Sequence, residues 1–258
     1  MRTRRFLVIL ILVAVLIVGV KLFLGAIYVP PIIMYHSLDE NEEVTKLSLS
    51  TAGFARQMEF LDKHNYNVIS LEKMVGLIKN KKRIPPKTIT ITFDDGYRNN
   101  YLCAYPILKK HDFPATIFVI TDFIGKKGYM TTSDLKELTE NNITIASHTK
   151  SHQWLPSLND ANLKEELVVS KAVLEKITNQ EVKFVSYPIG AHDKRVKSRV
   201  KDAGYEAACA TNLGPGKDWR DIYALKRIRI SRTSNNLFVF WIETSGYYTF
   251  IKEKRDEE

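Results

Sequence analysis

Cysteine is scarce in this chain, which contains only Cys103 and Cys209 among its 258 residues. The two residues lie far apart, Cys103 in a helix-like stretch and Cys209 in a strand-like one. A chain of this length can build a sizeable hydrophobic core and does not depend on a disulfide for stability. We therefore expect two buried free thiols rather than a disulfide bond.

The chain also lacks a glycine-rich phosphate-binding loop after any strand-like segment, which disfavours the nucleotide-binding α/β folds. Acidic residues are in deficit, 29 against 38 basic ones, and the formal net charge is +9. No compact array of basic and aromatic residues indicates a nucleic-acid-binding module. The excess positive charge either serves solubility alone or attracts the protein to an anionic cell envelope or polymer.

The first 28 residues combine a basic head, MRTRR, with a long apolar run that is interrupted by Lys21. At about 23 residues, the run is long enough to span a bilayer, as a secretory signal or a signal-anchor does. Only Gly25-Ala26 offers a weak cleavage site, so an uncleaved membrane anchor is favoured over a cleaved signal. The arginines of the head are expected to stay in the cytoplasm, which places residues 29–258 outside.

Strand-like and helix-like segments alternate along the rest of the chain. Runs of β-branched and aromatic residues predict strands at 31–36, 66–70, 88–93, 115–121, 142–147, 182–187 and 206–211. Amphipathic helical patterns between them imply βαβ units and a parallel sheet. About seven such units predict one closed or nearly closed α/β barrel over residues 29–250, with an open doubly wound sheet as the alternative. The charged tail, residues 251–258, is expected to fray.

In a parallel barrel, the side chains that carry out chemistry gather at the C-terminal ends of the strands. Asp94 and Asp95 directly follow the third predicted strand, and His148 and His152 follow the fifth. Two imidazoles and a carboxylate form a typical catalytic metal site. Taken alone, Asp-Asp-Gly is also a common turn, and two histidines in a loop often bind nothing. A divalent cation explains both pairs better, because it offsets the repulsion between the adjacent carboxylates.

Three motifs occur in order along the chain: TFDDG (92–96), HTKSH (148–152) and SYPIG (186–190). Together they resemble the polysaccharide deacetylases with a NodB-type domain, carbohydrate esterase family four. A further segment, IIMYHSL (32–38), is similar to the branch that removes acetyl groups from poly-N-acetylglucosamine exopolysaccharide. The resemblance covers most of the chain beyond the N-terminal apolar run and implies a distorted (β/α)7 barrel.

The resemblance also implies roles for the residues at the barrel end. Asp94 would be the general base, and Asp95, His148 and His152 would be the metal ligands. Zinc is the default metal for such a ligand set, although nickel, cobalt or iron would also fit.

The third motif departs from the family pattern. The family's motif usually begins with an arginine that orients the base, and Ser186 stands at that position, so the arginine is expected to be missing. Ile189 replaces the usual tyrosine and is expected to contribute its backbone N–H to an oxyanion hole. Tyr187 and Pro188 are predicted to bind substrate. The segment GKDWRD (216–221) loosely resembles the family's fourth motif, in which Trp219 either lines the groove or merely packs.

The family's late histidine, the usual general acid, is absent, since no histidine follows His192. His64 and His111 are expected to be solvated side chains at the C-terminal ends of helices. His36 ends the first predicted strand and matches the histidine that serves as acid in the exopolysaccharide branch, so we expect it to be the acid. His192, just past the third motif, is the alternative acid and a predicted substrate contact. His36 could also be an ordinary core histidine.

These features predict a membrane-anchored, extracytoplasmic, metal-dependent enzyme that hydrolyses N-acetyl groups from an N-acetylglucosamine-containing polysaccharide. Two alternatives remain. A glycoside hydrolase on the same barrel needs two carboxyl groups about 5–9 Å apart across a sugar, which adjacent Asp94 and Asp95 suit poorly. A non-catalytic glycan-binding domain of the envelope would not need the candidate base, ligands and acid.

Overall fold

The computed structural model describes residues 2–39, 48–211 and 218–249. The predicted charged tail and the first two residues of GKDWRD lie outside the described residues. Helix α1 (Arg2–Ile27) corresponds to the predicted apolar segment. Its stretch Phe6–Ile27 is strongly apolar and exposed, so by length and composition it could cross a membrane.

The strands that follow pair in parallel throughout. They are β1 (Ile32–Tyr35), β2 (Leu38–Asp39), β3 (Leu49–Ser50), β4 (Asn67–Val68), β5 (Thr88–Phe93), β6 (Ala115–Val119), β7 (Ile143–Ser147), β8 (Phe184–Ser186), β9 (Ala207–Cys209) and β10 (Ile228–Arg229). The main sheet has the order β10-β1-β5-β6-β7-β8-β9, with β4 pairing with β5, and β2 and β3 form a separate pair.

The sheet curls into a distorted barrel rather than an open doubly wound sheet, because strands β5 to β9 follow one another without a reversal of order. The segment before and within β10 links the two sides of the sheet. Leu225 donates its N–H to the carbonyl of Ala208 in β9 at 2.9 Å. Three residues later, Ile228 pairs with Ile33 of β1.

Helices cover the outside of the curled sheet. They are α2 (Thr51–Lys63), α3 (Leu71–Lys79), α4 (Tyr105–Lys110), α5 (Thr132–Thr139), α6 (Asp160–Thr178), α7 (Lys194–Asp202) and α8 (Leu237–Thr244). A π-helical turn, Asn100–Ala104, leads into α4.

Strand alternation divides the core into two clusters. In β5, for example, Ile89, Ile91 and Phe93 belong to the larger cluster together with the helices. On β6 and β8, Phe118 and Phe184 belong to a second cluster. Because successive side chains on a strand point to opposite faces, the two clusters lie on the two sides of the sheet.

All seven predicted strands are present, most of them shorter by one to three residues than predicted. The sequence did not indicate β2, β3 or β10, because two-residue strands are too short for a periodic pattern. Helix α8 was also missed, since LFVFWIET is apolar at nearly every position and shows no helical periodicity. Both cysteines are free as expected, with Cys209 buried and Cys103 only partly buried.

Candidate active site

The C-terminal ends of the strands bring together the predicted ligands. Asp95 follows β5, and His148 follows β7 directly. The Nε2 atoms of His148 and His152 lie 3.4 Å and 3.7 Å from Oδ1 of Asp95. One ligand atom from each of the three residues lies within 4.8 Å of the others. Among the described residues, this triad is the one group of such side chains close enough to share a metal ion.

His148 is held in one tautomer by a backbone contact. Its Nδ1 lies 2.9 Å from the carbonyl oxygen of Ser186, so Nδ1 carries the proton and donates it to that carbonyl. The lone pair of Nε2 then faces Asp95 and is available to a metal. Burial by itself would lower the pKa of His148, but Asp94 and Asp95 outweigh burial and raise it.

The loop that carries the two histidines is fixed by hydrogen bonds. The N–H of His152 donates to Oγ1 of Thr149 at 3.1 Å, and the N–H of Thr149 donates to Oγ of Ser147 at 3.0 Å. The buried carboxylate of Glu166 on α6 accepts from both the N–H and the hydroxyl of Ser151. A carboxylate from the neighbouring helix therefore sets the path of the loop, a role that no sequence motif indicated.

Asp94 does not join the triad but binds an arginine. Nη1 of Arg227 donates to Oδ1 of Asp94 at 2.7 Å, and Nη2 donates to Oδ2 at 2.6 Å. Nη2 also donates to the hydroxyl of Ser186 at 2.7 Å. The expectation that an orienting arginine is missing was therefore wrong. Arg227, the residue directly before β10, binds the carboxylate of Asp94 in place of an arginine in the third motif.

Arg227 is itself held in the barrel interior, where it is 1% exposed. Its Nε donates to the carbonyl of Ala210 at 3.2 Å, and its Nη1 also donates to Oγ1 of Thr92. The guanidinium lies 5.2 Å from the centre of the Phe118 ring. A buried charge is tolerated when it is paired and fully hydrogen-bonded, and these contacts meet that condition.

The charges around Asp94 set its protonation. Burial would raise the pKa of Asp94, but Arg227 and His148 outweigh burial and hold the pKa well below its ordinary value. Asp94 is therefore ionised at any pH near neutrality. The pKa of Asp95 is also lowered, because the effect of His148, which favours the ionised form, outweighs the opposing effect of burial. Both carboxylates of the pair stay charged, each stabilised by a different partner.

Unusual backbone conformations cluster at this edge of the barrel. Asp95, Thr149, His152 and Ile189 have φ angles of 70°, 66°, 64° and 58°. Among the described non-glycine residues with positive φ, Thr149 and Ile189 are the β-branched ones, for which the left-handed region is least favourable. Such conformations are concentrated at functional sites in proteins.

His36 lies beside the same cluster, at the end of β1. The carboxylates of Asp94 and Asp95 favour its charged form, but burial outweighs them and lowers the pKa of His36. Its Nδ1 is buried and has no hydrogen-bond partner among the described residues. Its carbonyl accepts from Nδ2 of Asn100 at 2.7 Å, which fixes the backbone at this point.

The predicted substrate contacts differ in accessibility. Tyr187 is 1% exposed, its hydroxyl donates to the carbonyl of Tyr223, and its ring stacks on His192 at 4.8 Å. His192 and Pro188 are also buried, whereas the side chain of Ile189 is 72% exposed. Trp219 packs against the second core cluster, beneath the guanidinium of Arg220 at 5.0 Å, which fits the packing alternative.

Comparisons with known proteins agree with this architecture. The sequence model of the polysaccharide deacetylase family matches residues 81–208. The Bacillus subtilis protein YxkH, named as a polysaccharide deacetylase, is 32% identical over 215 residues, which span 83% of this chain and 76% of that protein.

Two further relatives are informative. The poly-beta-1,6-N-acetyl-D-glucosamine N-deacetylase of Staphylococcus aureus is 27% identical over 178 residues, or 64% of this chain and 61% of that protein. The structure of the Streptococcus pyogenes deacetylase PplD in complex with acetate superposes with a TM-score of 0.74 and 28% identity, over 81% of this chain and 96% of that one. With YxkH matched at this identity over most of its length, the chain belongs to the polysaccharide deacetylase family.

Proposed function

We propose that this polysaccharide deacetylase is a metal-dependent N-deacetylase of a polymer that contains N-acetylglucosamine. The observation that carries the proposal is the arrangement at one barrel edge: a triad able to hold a metal, beside a separate carboxylate that an arginine holds ionised. Amide hydrolysis by an activated water needs these two functions next to each other.

Asp95, His148 and His152 fit a divalent cation, because they offer one carboxylate oxygen and two imidazole nitrogens close together. Zinc suits this donor set best, and nickel, cobalt or iron are alternatives. Bound there, the cation supplies a Lewis acid for the acetamide carbonyl and lowers the pKa of a bound water.

Asp94 is the general base of the proposed reaction. It is ionised, and the fork of Arg227 fixes the plane of its carboxylate. It accepts the proton of the water that attacks the acetamide carbonyl carbon. Its neighbour Asp95 is a ligand and takes no part in proton transfer, so the two adjacent carboxylates have different tasks.

His36 donates a proton to the departing amine, and the backbone N–H of Ile189 stabilises the oxyanion of the tetrahedral intermediate. The position of His36 at the end of β1, beside Asp94 and Asp95, supports the first assignment over His192, whose ring is stacked on Tyr187. The left-handed backbone at Ile189 supports the second, because it turns a peptide group in a way that an ordinary strand end would not.

The proposed substrate is a poly-N-acetylglucosamine exopolysaccharide or another N-acetylated envelope glycan, such as peptidoglycan. The Staphylococcus aureus relative is named for poly-beta-1,6-N-acetyl-D-glucosamine, although this chain spans only 61% of it. We further propose that α1 is an uncleaved anchor and that the enzyme acts outside the cytoplasm, where such polymers lie.

Product analysis tests the proposal. The full chain is incubated with an N-acetylglucosamine oligomer, with and without a metal chelator, and both free acetate and new reducing ends are measured. We expect acetate to be released without new reducing ends, and the chelator to stop its release. New reducing ends would indicate a glycoside hydrolase, and binding of the oligomer without either product would indicate a glycan-binding domain.

A further inference from the structure

One flank of the barrel, where α8 runs down to the N-terminal edge of the sheet, combines apolar and basic surface. We propose that this surface docks on the outer face of the lipid bilayer that α1 crosses, with a preference for anionic phospholipid. The inference rests on the proposed anchoring by α1 and goes beyond it, since an anchor by itself does not bring the surface of the barrel into contact with lipid.

The first component is the outward side of α8, formed by Leu237, Phe238, Trp241 and Ile242, which we call the α8 face. Phe238 is 64% exposed and Trp241 is 49% exposed, and their rings lie 5.7 Å apart. The single charged residue of this helix, Glu243, is buried. The face is therefore apolar and aromatic, which is the composition that favours the interface between lipid and water.

The second component is a basic loop that precedes β5. Lys81, Lys82, Arg83 and Lys87 are all exposed within seven residues of sequence. Clustered cations of this kind are attracted to anionic lipid headgroups when they lie near the surface.

The third component joins the other two to the end of the membrane anchor. The ring of Tyr28, one residue after α1, packs edge-on against Tyr247 at 5.8 Å. Val29 donates its N–H to the carbonyl of Gly246 at 2.9 Å, two residues after α8 ends. The hydroxyl of Tyr28 also donates to the carbonyl of Pro85 in the basic loop, at 3.4 Å. The chain thus leaves α1 between the C-terminal end of α8 and the basic loop.

Gly246 makes this junction close. Its φ is 83°, and a Cβ at this position would lie 2.1 Å from Cε2 of Tyr28. Only glycine therefore allows the tyrosine ring to rest on the backbone here. The contact fixes where α1 emerges relative to the barrel.

Distances along the helix agree with docking. Trp241 precedes Gly246 by five residues, which at a helical rise of 1.5 Å per residue corresponds to about 8 Å along the axis. The interfacial layer on each side of a bilayer core is about 5–8 Å deep. Even if α8 stands along the bilayer normal, an anchor that ends at Ile27 leaves Trp241 no more than about 8 Å above Gly246, at or near the height of the headgroups.

A second copy of the chain is a poorer occupant of the α8 face. The outward side of an eight-residue helix is about 12 Å long. With a helix diameter of about 10 Å, the face covers roughly 120 Å², far less than the roughly 800 Å² per partner buried in a stable protein interface.

Docking has a consequence for the reaction. The anchor exit and the basic loop precede β1 and β5, so they lie at the N-terminal edge of the sheet, and the active site lies at the C-terminal edge. Six residues of β5 separate the edges by about 20 Å. A docked enzyme holds its active site away from the bilayer and towards polymers in the wall or on the surface.

Quenching of tryptophan fluorescence tests the inference. The full chain is placed in nanodiscs at one copy per disc, with lipids brominated near the headgroup, in zwitterionic and in partly anionic mixtures. We expect the bromolipid to quench part of the emission of the wild type, and Trp241→Phe to lose most of that quenching. Trp154→Phe is the matched control, because Trp154 is 58% exposed in the loop that follows His152, at the opposite edge.

A second set of variants tests the contribution of the basic loop. Lys81→Ala/Lys82→Ala/Arg83→Ala should reduce the quenching in anionic discs and change it little in zwitterionic ones. Lys126→Ala/Lys127→Ala removes exposed cations that follow β6 and should change neither.

Four outcomes would overturn the docking. Equal quenching of the wild type and of Trp241→Phe would show that the α8 face does not meet lipid. A second chain would occupy the α8 face if two results occur together. Bromolipid would not quench Trp241 at one copy per disc, and Trp241 would be shielded from a soluble quencher only at two copies per disc. Shielding of Trp241 by an N-acetylglucosamine oligomer alone would assign it to glycan. If α1 is cleaved from the chain and the barrel then leaves the discs, the proposed uncleaved anchor is contradicted.

Discussion

At the scale of single residues, the ion pair of Arg227 with Asp94 is the feature on which the proposed chemistry depends most. Replacement by Arg227→Met removes the charge that holds the pKa of Asp94 low, and burial then acts unopposed by it. We expect the acidic limb of the pH–rate profile to move to higher pH, because Asp94 must be ionised to act as base. An unpaired buried carboxylate also lowers stability by roughly 3–5 kcal/mol.

The pH–rate profile of kcat/KM and the thermal unfolding midpoint check this prediction together. Arg229→Met is the matched control, since Arg229 lies two residues away with an exposed side chain. Arg227→Lys keeps the charge and should shift the acidic limb less than Arg227→Met, which separates the effect of charge from that of misfolding. An unmoved acidic limb in a folded Arg227→Met enzyme would show that Arg227 does not control the base.

The division of work between the adjacent carboxylates predicts different losses in two variants. Asp95→Asn should lose metal and activity together, because Asp95 is the carboxylate of the triad. Asp94→Asn should keep nearly the metal content of the wild type while its rate falls about 10²–10⁴-fold, as expected when a general base is removed. Elemental analysis beside acetate release distinguishes them, and equal metal loss in both variants would contradict the assignment.

His36 and His192 form a natural pair for locating the acid. His36→Ala should retain fold and metal while acetate release falls about 10²–10³-fold, the usual range for loss of a general acid. Since an acid must be protonated to act, the wild-type rate should fall as pH rises through the pKa of His36, and that limb should vanish in the variant. A fully active His36→Ala, or a defect confined to His192→Ala, would move the role to His192.

At the scale of elements, the loop after β8 stores strain that a substitution can release. Ile189 has a φ of 58°, which glycine adopts freely and a β-branched residue does not. Ile189→Gly should raise the unfolding free energy by about 1 kcal/mol or leave it unchanged, and should keep kcat if only the backbone N–H acts. A large loss of kcat in Ile189→Gly would show that the exposed side chain contributes to catalysis.

Secondary-structure elements could be predicted from the sequence where the periodicity of the local residues matches the element that the fold contains. TITITF alternates strictly and forms β5 at the predicted residues, and the parallel-strand rule then placed Asp95 and His148 at one edge. Arg227 was not found, because basic residues alternate with isoleucine in KRIRI and such a pattern suggests a solvent-facing strand edge. Its burial depends on Asp94 and Ser186, which lie far away in sequence and meet it only when the sheet curls.

At the scale of the whole molecule, the two edges of the sheet carry different groups, and the apolar helix α1 precedes the barrel. The C-terminal ends of the strands bear the triad proposed to bind metal, the proposed base and His36, and the N-terminal edge bears the exit of α1 and the basic loop. Sequence patterns predicted the barrel and the apolar segment, but not their junction at Tyr28 and Gly246. That contact depends on how closely two residues more than two hundred positions apart fit together, and a periodic sequence pattern cannot predict it.

Return of metal to the depleted enzyme tests the central proposal most directly. Chelated and desalted enzyme is titrated with zinc, and in parallel with cobalt or nickel, while acetate release from an N-acetylglucosamine oligomer is measured. One triad is present among the described residues, so we predict no acetate release without metal and a linear rise in rate that stops at one equivalent. Full activity in the metal-free enzyme, or a rate that does not respond to any of these metals, would contradict the proposal.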